Sequence, residues 1–387
     1  MTRSEEISKF LGERIAAGDF PSAVYLVAES GEIVFQDAIG HAVIEPESIK
    51  ATTDTIYDLA SLTKPLVTGL MVSKLIDSGA IQLSAPIGEH LSAVQGNTSE
   101  ITIRDLLLHT SGLAAWLPFY LLVDRRKAIP AEIASTKRKL DQQPVTYSDL
   151  NFLLLTFMLE QRAGETIDRV ASREVFTPLG LVDTTFNPPT DIRQRIAASE
   201  CGNNYERNTC IEMGYLPLDS SQSPAGDEPE SRSLTANHFF RDHQIWGEVH
   251  DGNAWFMGGI AGHAGLFSTA EETLRIALQF LPNHTSLLRP ETTELFRTNF
   301  TNGMNEARSI AFQLGETPNS TAGSLMSPNA FGHLGFTGTS LWIDPVTDRI
   351  FILLTNRTHA HALPFVNINS VRRKFHDLAI EALEKKL

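Results

Sequence analysis

The chain has 387 residues, 42% of them hydrophobic and 20% charged, and its formal net charge is −14. This composition is typical of a soluble globular protein that is long enough for more than one core. The acidic balance and the lack of a Lys/Arg-rich stripe argue against a nucleic-acid partner, which requires a clustered basic surface. The apolar runs are far shorter than the roughly 20 residues that span a bilayer, so we expect no membrane span. No secretory leader is recognisable, so we expect a cytoplasmic protein, or a periplasmic one if a leader has been removed.

The first elements predicted along the chain are a helix, a hairpin and a second helix. Apolar residues recur at helical spacing from Ile7 to Ala16, which indicates an amphipathic helix. The apolar runs Ala23 to Ala28 and Ile33 to Phe35 flank a glycine-containing turn, and this pattern predicts an antiparallel hairpin. The second helix is expected to contain Ser61 near its start and to end at Gly79.

The middle of the chain is predicted to be mainly helical from Leu83 to about Arg195, with the most regular pattern from Asn151 to Arg162. Between residues 199 and 243 the periodicity is lost, and Ser, Asn, Pro, Gly and Asp predominate. We interpret this segment as a long exposed or partly disordered insertion, with a lid over a cleft as the alternative. Its two cysteines, Cys201 and Cys210, are too few for a disulfide scaffold, and we expect two free thiols, with a local disulfide between them as the alternative.

A second hairpin and a final helix are predicted near the end of the chain. The β-rich runs Ser340 to Ile343 and Arg349 to Thr355 bracket a turn, and Val371 to Leu387 has a helical pattern. Strands at both ends with helices between them predict an α/β fold: an antiparallel sheet, flanked by helices and built from both chain ends, with an inserted all-helical domain. The expected boundaries are 1–55 plus 250–387 for the mixed α/β domain and 56–249 for the mainly helical domain with its polar insertion.

The stretch Ser61-Leu62-Thr63-Lys64 is the first candidate for chemistry. A serine three residues before a lysine lies on the same face of a helix, so the hydroxyl and the amine can meet. The small and apolar neighbours suggest a desolvated site in which the lysine amine stays neutral enough to accept a proton. The same pattern is common on solvated helices, so its meaning depends on the rest of the chain.

Two further motifs supply that context. Tyr147-Ser148-Asp149 and His333-Leu334-Gly335 follow Ser61-x-x-Lys64 in the order of motifs found in serine β-lactamases and penicillin-binding proteins. Over roughly residues 20 to 360 the chain resembles this superfamily, in particular its class C-like members and the family VIII-type esterase branch. The resemblance implies a β-lactamase-like fold. Additional stretches that resemble this branch are 107–112, 178–184 and 262–269.

The resemblance also implies roles for the motif residues. Ser61 Oγ attacks an acyl carbonyl to form an acyl-enzyme, and Lys64 and Tyr147 remove and return its proton. A phenol is a poor base at neutral pH, so Lys64 is expected to favour the phenolate of Tyr147. The oxyanion hole is expected from the backbone N–H groups of Ser61 and Phe336, and losing one such donor costs about 10²–10³ in rate.

Two departures from the family pattern bear on the substrate. Asp149 replaces the usual asparagine; an ionised carboxylate cannot donate a hydrogen bond to a substrate carbonyl, and it favours a charged Lys64 and moves more of the base role to Tyr147. In the third motif His333 and Leu334 replace the usual Lys/His-Thr pair, although His333 can still donate a hydrogen bond or titrate near neutral pH. We therefore expect weak or absent β-lactamase activity and better turnover of small neutral acyl esters.

Several histidines raise the question of a metal site. None of His250, His263, His359 and His361 has the i, i+4 helical spacing with an adjacent Glu that marks a metalloprotease, so we expect neither a metal nor another cofactor. The only partner expected is a small-molecule acyl substrate, and the sequence leaves the oligomeric state open. The expected substrate-binding or supporting residues are Asp149, His333, Gly335, Trp116, His109 and His263, of which the last three also suit ordinary structural roles.

Three hypotheses for the function remain. The first is a metal-free serine hydrolase that forms a Ser61 acyl-enzyme and acts as a carboxylesterase on small acyl esters. The second uses the same site as a β-lactamase, a DD-peptidase or a D-amino-acid peptidase or amidase. The third is a slow penicillin-binding-like protein with little turnover, because a fold does not guarantee chemistry.

Overall fold

The computed structural model describes residues 4–139, 145–217 and 240–385. Within these residues the strands form two antiparallel sheets. The strands are β1 (Ser22–Glu29), β2 (Glu32–Val43), β3 (Ile49–Lys50), β4 (Tyr57–Asp58), β5 (Thr185–Phe186), β6 (Leu266–Ser268), β7 (Arg308–Ser309), β8 (Phe312–Leu314), β9 (Phe331–Leu334), β10 (Ser340–Asp344) and β11 (Arg349–Thr355).

Most of the helices lie between β4 and β7 in the chain. The α-helices are α1 (Glu5–Ala16), α2 (Leu70–Asp77), α3 (Ile103–Leu108), α4 (Phe119–Leu122), α5 (Ile129–Ser135), α6 (Asp149–Ala163), α7 (Ile167–Ala171), α8 (Asn204–Glu212), α9 (Gly252–Phe256), α10 (Ala270–Ala277) and α11 (Asn369–Glu384). Short 3₁₀ turns cover Ala60–Leu62, Ile87–Glu89, Gly96–Thr98, Arg126–Ala128, Thr190–Arg195, Leu278–Phe280 and Pro290–Phe296, and π-helical turns cover Lys64–Gly69 and Ser172–Phe176.

The main sheet joins the two ends of the chain. Its strand order is β3-β2-β1-β11-β10-β9-β8-β7, so β1 lies beside β11 at the centre. The register pairs Ala23 with Thr355 and Glu29 with Arg349. A smaller sheet of order β4-β6-β5 lies next to the segment that contains Ser61. The predicted sheet built from both chain ends is therefore confirmed.

The two faces of β1 are buried in different hydrophobic clusters. Tyr25 and Val27 pack in a cluster with Phe375 of α11, whereas Val24 and Leu26 belong to the larger cluster on the other face. This division follows from the pleat, because successive side chains of a strand point to opposite faces. The sheet is thus covered on both sides, which explains why β1 reads as a continuous apolar run.

Several predicted elements are confirmed with small changes at their ends. The first helix, the β1–β2 hairpin, the β10–β11 hairpin and the helix over residues 151 to 162 are all present. The structure extends the latter helix at its start to Asp149, so the second motif lies at its N-terminus, with Ser148 as the N-cap. The final helix begins at Asn369, two residues before the predicted start.

The helix predicted from Ser61 to Gly79 is divided into three parts. A 3₁₀ turn contains Ser61, a π-helical turn begins at Lys64, and regular α-helix starts only at Leu70. Pro65 lacks a backbone N–H and cannot donate to the preceding turn, so regular α-helical bonding is interrupted there. Short π-helical turns of this kind are frequent at functional sites.

The prediction of an irregular segment between residues 199 and 243 is wrong for its first half. Helix α8 forms there and buries Glu206 and Cys210. The polarity of the helix concealed it, because its buried side is made largely by a carboxylate and a thiol. Residues 218–239, about half of the predicted insertion, lie outside the described residues, and with them the lid alternative. Cys201 is exposed, Cys210 is buried, and both are free thiols.

The proposed division into two domains stays a prediction. The larger hydrophobic cluster contains Leu26 and Ile352 of the sheet together with Leu153 of α6, so the two parts share one core. Among the described residues, no helix is both long and apolar enough to cross a membrane.

Candidate active site

The turn that carries Ser61 is fixed by a buried carboxylate. Asp58 accepts hydrogen bonds from the backbone N–H of Ala60 at 2.8 Å and from that of His250 at 2.8 Å. Ala60 has a φ of 47°, an uncommon conformation for a residue with a side chain. Such strained backbone persists only where its surroundings hold it, and the residue that follows it is the half-buried Ser61.

Lys64 is completely buried beside Ser61. Its Nζ donates a hydrogen bond to Ser61 Oγ at 2.9 Å and another to the carbonyl oxygen of His263 at 3.0 Å. The same nitrogen lies 2.7 Å from Oδ1 of Asp149 and 5.0 Å from the centroid of the Tyr147 ring. Three oxygens thus lie within 3.0 Å of one amine, an environment that suits an ammonium group with three donors.

Burial and the neighbouring groups have opposite effects on the pKa of Lys64. Burial alone lowers its pKa because it penalises the ammonium form, but Asp149 and then Tyr147 outweigh burial, and the pKa is raised. Lys64 is therefore charged at neutral pH. The neutral lysine expected from its apolar neighbours is wrong, and the carboxylate in place of the usual asparagine is the physical reason.

Tyr147 completes the contact with the nucleophile. Its hydroxyl lies near Ser61 and Lys64, both of which act to lower its pKa, and Lys64 Nζ lies 5.0 Å from the ring centroid. Burial raises the pKa of Tyr147, and Asp149 raises it further, while Lys64 lowers it without reversing the shift. The resting side chain is thus a phenol. The expectation that Lys64 would favour the phenolate at rest is wrong, because burial in this site has the larger effect.

His109 holds the segment that presents Tyr147. Its ring lies 4.6 Å from the Tyr147 ring, and its Nδ1 accepts a hydrogen bond from the backbone N–H of Ser148 at 3.0 Å. Burial and the nearby cations Arg308 and Lys64 keep its pKa well below the ordinary value, so the imidazole is neutral with its proton on Nε2. His109 adopts a left-handed conformation that ends α3. The structural role expected for this histidine agrees with these contacts.

His333 of β9 faces Tyr147 from the opposite side. The ring centroids are 5.7 Å apart, and His333 Nδ1 donates to the carbonyl oxygen of Leu334 at 2.9 Å. Its Nε2 is buried without a hydrogen-bond partner among the described residues. Burial and then Lys64 keep the pKa of His333 well below its ordinary value. Of the two roles expected for His333, titration near neutral pH is therefore wrong, whereas the neutral ring does donate a hydrogen bond from Nδ1 and keeps Nε2 as an acceptor.

The segment after β9 packs against the backbone that leads into Ser61. Thr337 Oγ1 donates to the carbonyl oxygen of Asp58 at 2.8 Å, and Thr339 Oγ1 donates to that of Leu59 at 3.0 Å. A Cβ on Gly335 would lie 2.6 Å from the Leu59 carbonyl oxygen, so only glycine permits this approach. The peptide group of Phe336, the second expected oxyanion donor, follows directly after this contact.

His263 supports Lys64 through its backbone and Asp251 through its ring. The buried ring places Nε2 3.1 Å from Asp251 Oδ1, and His263 lowers the pKa of that carboxyl although burial acts in the opposite direction. Donor atoms of Asp149, Asp251 and His263 lie within 4.8 Å of one another, a set of acceptors that suits a cation. Sequence spacing could not predict this group, because its members come from three segments. In the structure Asp149 pairs with the ammonium of Lys64.

The structure adds an arginine that the sequence did not indicate. Arg308 of β7 is 3% exposed, and its guanidinium carbon lies 5.7 Å from the Tyr147 ring centroid. Its Nη2 pairs with Glu306 at 2.8 Å, whereas Nε and Nη1 have no hydrogen-bond partner among the described residues. Nothing in the local sequence distinguishes it from an ordinary strand arginine.

Trp116 is half-buried, and its ring meets that of Tyr120 at 6.5 Å with edge geometry. The neighbouring Ala115 accepts a hydrogen bond from the backbone N–H of Asp149 at 2.9 Å. The structure therefore places Trp116 next to the second motif, while its role in a pocket stays a prediction.

Comparisons with known proteins agree with this arrangement. The Beta-lactamase family model matches residues 7–371. A protein of Escherichia coli (strain K12) named "Putative D-alanyl-D-alanine carboxypeptidase" is 30% identical over 395 residues, covering 92% of this chain and 83% of that protein. The class C beta lactamase from Rhodobacter sphaeroides has a TM-score of 0.69 at 19% identity and covers 97% of this chain and 99% of that chain. EstCE1, described as a hydrolase with promiscuous acyltransferase activity, has a TM-score of 0.69 at 19% identity and covers 97% of each chain.

The two solved structures are similar in fold, and the family match and the Escherichia coli protein extend the similarity to the sequence. The family match spans residues 7–371 and so includes the three motifs, and the match to the Escherichia coli protein covers 92% of the chain. The chain therefore belongs to the Beta-lactamase family: it has the β-lactamase-like α/β fold and is a serine hydrolase of that family.

Proposed function

We propose that Ser61 forms an acyl-enzyme and that the protein is a carboxylesterase for small acyl esters. The observation that carries this proposal is the contact of Ser61 with Lys64 and Tyr147, in which Lys64 is held charged by Asp149. A serine hydroxyl next to a proton-accepting group is the arrangement that nucleophilic acyl transfer requires.

The proposed mechanism uses Tyr147 as the group that moves the proton. The reaction takes place in the fraction of enzyme in which the Tyr147 oxygen is ionised. There Ser61 Oγ attacks the acyl carbon and passes its proton to the Tyr147 oxygen. The charged Lys64 at 5.0 Å from the ring stabilises this ionised form once it arises. The alkoxide leaving group then takes the proton from Tyr147. Water repeats the sequence to release the acid and free Ser61.

An ester fits this site better than an amide. Both proton-transfer groups are protonated at rest, so the fraction of enzyme with a competent base is small at neutral pH. An alkoxide leaves far more readily than an unprotonated amide nitrogen, and cleavage of an ester therefore depends less on efficient proton transfer. Asp149 also cannot donate the hydrogen bond that an amide side chain offers to an amide substrate.

A second candidate, a carboxypeptidase that acts on D-alanyl-D-alanine termini, is favoured by Arg308. Its guanidinium is buried next to Tyr147 with Nε and Nη1 unpartnered, and such groups are costly unless a ligand satisfies them. A guanidinium matches a carboxylate in shape and charge. The Escherichia coli relative carries the name of this activity.

A substrate panel tests these functions. We expect p-nitrophenyl butyrate to be hydrolysed much faster than nitrocefin, and Ser61→Ala to abolish the reaction. Turnover of nitrocefin comparable to that of the ester would overturn the ester preference. A stable adduct with fluorescent penicillin and no ester turnover would favour a penicillin-binding-like protein instead.

The carboxypeptidase candidate has its own test. An N-acyl-D-alanyl-D-alanine peptide is compared with its C-terminal methyl ester in the wild type and in Arg308→Met. If Arg308 binds the carboxylate, the variant loses about 10- to 100-fold in kcat/KM for the free acid and little for the methyl ester. Equal losses for both substrates would reject the carboxylate site.

A further inference from the structure

The C=O and the N–H of the peptide bond between Gly335 and Phe336 differ in their hydrogen-bond partners. Its carbonyl oxygen accepts a hydrogen bond from Arg372 Nη2 at 2.9 Å and one from the backbone N–H of Gly338 at 3.1 Å. Its N–H, on Phe336, donates to no acceptor among the described residues. In a trans peptide the C=O and N–H point in opposite directions, so anchoring the carbonyl fixes the direction of the free N–H.

Arg372 is buried and holds this turn through hydrogen bonds. It lies on α11, is 5% exposed, and donates from the same Nη2 to the carbonyl oxygen of Thr339 at 3.0 Å. Its Nη1 donates to Asn369 Oδ1 at 2.8 Å. Thr339 and Gly335 are themselves joined by a backbone hydrogen bond of 2.8 Å, so one guanidinium holds both ends of a closed turn.

A second arginine acts on the next peptide. Arg357 Nε donates to the carbonyl oxygen of Phe336 at 2.7 Å, and its guanidinium carbon lies 4.9 Å from the Phe336 ring centroid. The carbonyl groups on both sides of Phe336 are thus hydrogen-bonded to guanidinium groups. These bonds leave the Phe336 backbone little freedom to rotate.

Both guanidinium groups lack a carboxylate partner among the described residues, since their acceptors are carbonyl oxygens and an asparagine. Burial and then repulsion by Arg357 lower the pKa of Arg372 to about 9, which still leaves it charged at neutral pH. Uncompensated positive charge in a buried region is costly. Where negative charge develops during a reaction, the same positive charge is stabilising.

This turn is coupled directly to the nucleophile segment. Thr337 and Thr339 donate to the carbonyl oxygens of Asp58 and Leu59, immediately before Ala60 and Ser61. If the Gly335–Phe336 peptide changed its orientation, the change would therefore occur directly beside the reacting serine. An error of about 1 Å in a site of this kind is enough to reduce the rate strongly.

We propose that Arg372 is a positioning residue for the oxyanion hole: it aims the Phe336 N–H, polarises its peptide bond and supplies positive charge behind it. The proposal rests on the proposed function, because it requires an acyl-enzyme at Ser61. Arg357 supports the same peptide from its other side.

The test is the carbonyl stretching frequency of the acyl-enzyme. A ¹³C-carbonyl p-nitrophenyl ester labels Ser61, and isotope-edited infrared spectra are compared for the wild type, Arg372→Met, Arg372→Gln and Arg372→Lys. The control is Arg373→Met, which removes the neighbouring charge of α11 that contacts Asn319 rather than the turn. A stronger oxyanion hole lowers this frequency, and a purely structural role does not move it in a folded variant.

We expect a higher frequency and a 10- to 100-fold lower acylation rate in Arg372→Met, about a tenth of the effect of losing a donor outright. Arg372→Gln should show the same loss because its amide is neutral, Arg372→Lys should recover part of it, and Arg373→Met should match the wild type. If Arg372→Met does not fold, Arg372→Gln decides. An unchanged frequency and rate in the folded variant would overturn the role of Arg372, whereas failure of the wild type to acylate would overturn the proposed function instead.

Discussion

The carboxylate of Asp149 sets the charge of the amine next to the nucleophile. It raises the pKa of Lys64 and contributes to the raised pKa of Tyr147, so both groups hold their protons at neutral pH. Activity that depends on losing one of these protons must increase as the pH rises. The same residue that departs from the family pattern therefore controls the pH at which the enzyme works.

We predict that Asp149→Asn moves the rising limb of the pH profile to lower pH. Removing the carboxylate lowers both pKa values, so the deprotonated base becomes available under more acidic conditions. The measurement is kcat/KM for p-nitrophenyl butyrate against pH. Asp124→Asn, at an exposed position, is the control and should leave the profile unchanged. A limb that stays in place, or moves to higher pH, would contradict the charge assigned to this site.

We also predict that Tyr147→Phe lowers the acylation rate by about 10²–10⁴, the range typical for loss of a proton-transfer group. The ring contacts with His109 and His333 remain, so the melting temperature should change little. Stopped-flow release of p-nitrophenol measures acylation, and Tyr205→Phe serves as the aromatic control. Acylation close to that of the wild type would show that Lys64 alone moves the proton.

The sequence indicated the residues that lie in motifs and missed those that meet only in the fold. Ser61 and Lys64 are three residues apart, so their contact follows from local geometry. Arg308, Arg372 and Asp251 approach the same region from distant segments, and no spacing rule connects them. Their burial was also unpredictable, since charged residues are usually exposed.

At the scale of elements, α8 is the clearest departure from the sequence pattern and carries a titratable core. Glu206 accepts hydrogen bonds from Gly252 N–H at 2.7 Å and from Tyr120 at 2.9 Å. Burial, followed by the nearby Asp251, raises the pKa of Glu206 from 4.5 to about 7. Hydrophobic periodicity could not reveal this helix, because its buried contacts are polar.

In the wild type we expect the free energy of unfolding to decrease as the pH rises to neutral. We predict that Glu206→Gln abolishes this decrease. A raised carboxyl pKa means that the stability present below about pH 4.5 declines as the pH rises to about 7, where the buried group ionises. The difference corresponds to about 3 kcal/mol. Urea unfolding at pH 5 and pH 8 measures it, with Glu212→Gln on the exposed side of the same helix as the control. Equal pH dependence in the wild type and Glu206→Gln would refute the assignment.

At the scale of the whole molecule, the sheet and the helices share a hydrophobic core. The larger cluster combines strand residues such as Ile352 with Leu153 of α6 and Leu274 of α10. The order of strands and helices along the sequence predicted the layers and the joining of the chain ends. The packing of the two parts against each other could not be predicted, because it depends on side chains far apart in sequence.

We predict that the sheet and the helical part unfold together. The four tryptophans sample both parts, with Trp342 in β10 and Trp246 before α9. In protein labelled with 5-fluorotryptophan, all four ¹⁹F resonances should lose their native intensity at the same urea concentration. The resonances are assigned by single Trp→Phe variants. Separate midpoints would indicate two independent domains with the predicted boundaries.

The central pairing of β1 with β11 also bears on synthesis. Ser61 leaves the ribosome early, whereas β11 ends at Thr355 and the turn that supports the nucleophile is made only shortly before it. At 5–20 residues per second, the nucleophile segment waits on the order of 15–60 s for these partners. The nascent chain thus lacks the support of its nucleophile segment until β11 has been made, and during that interval one edge of β1 lacks its partner strand.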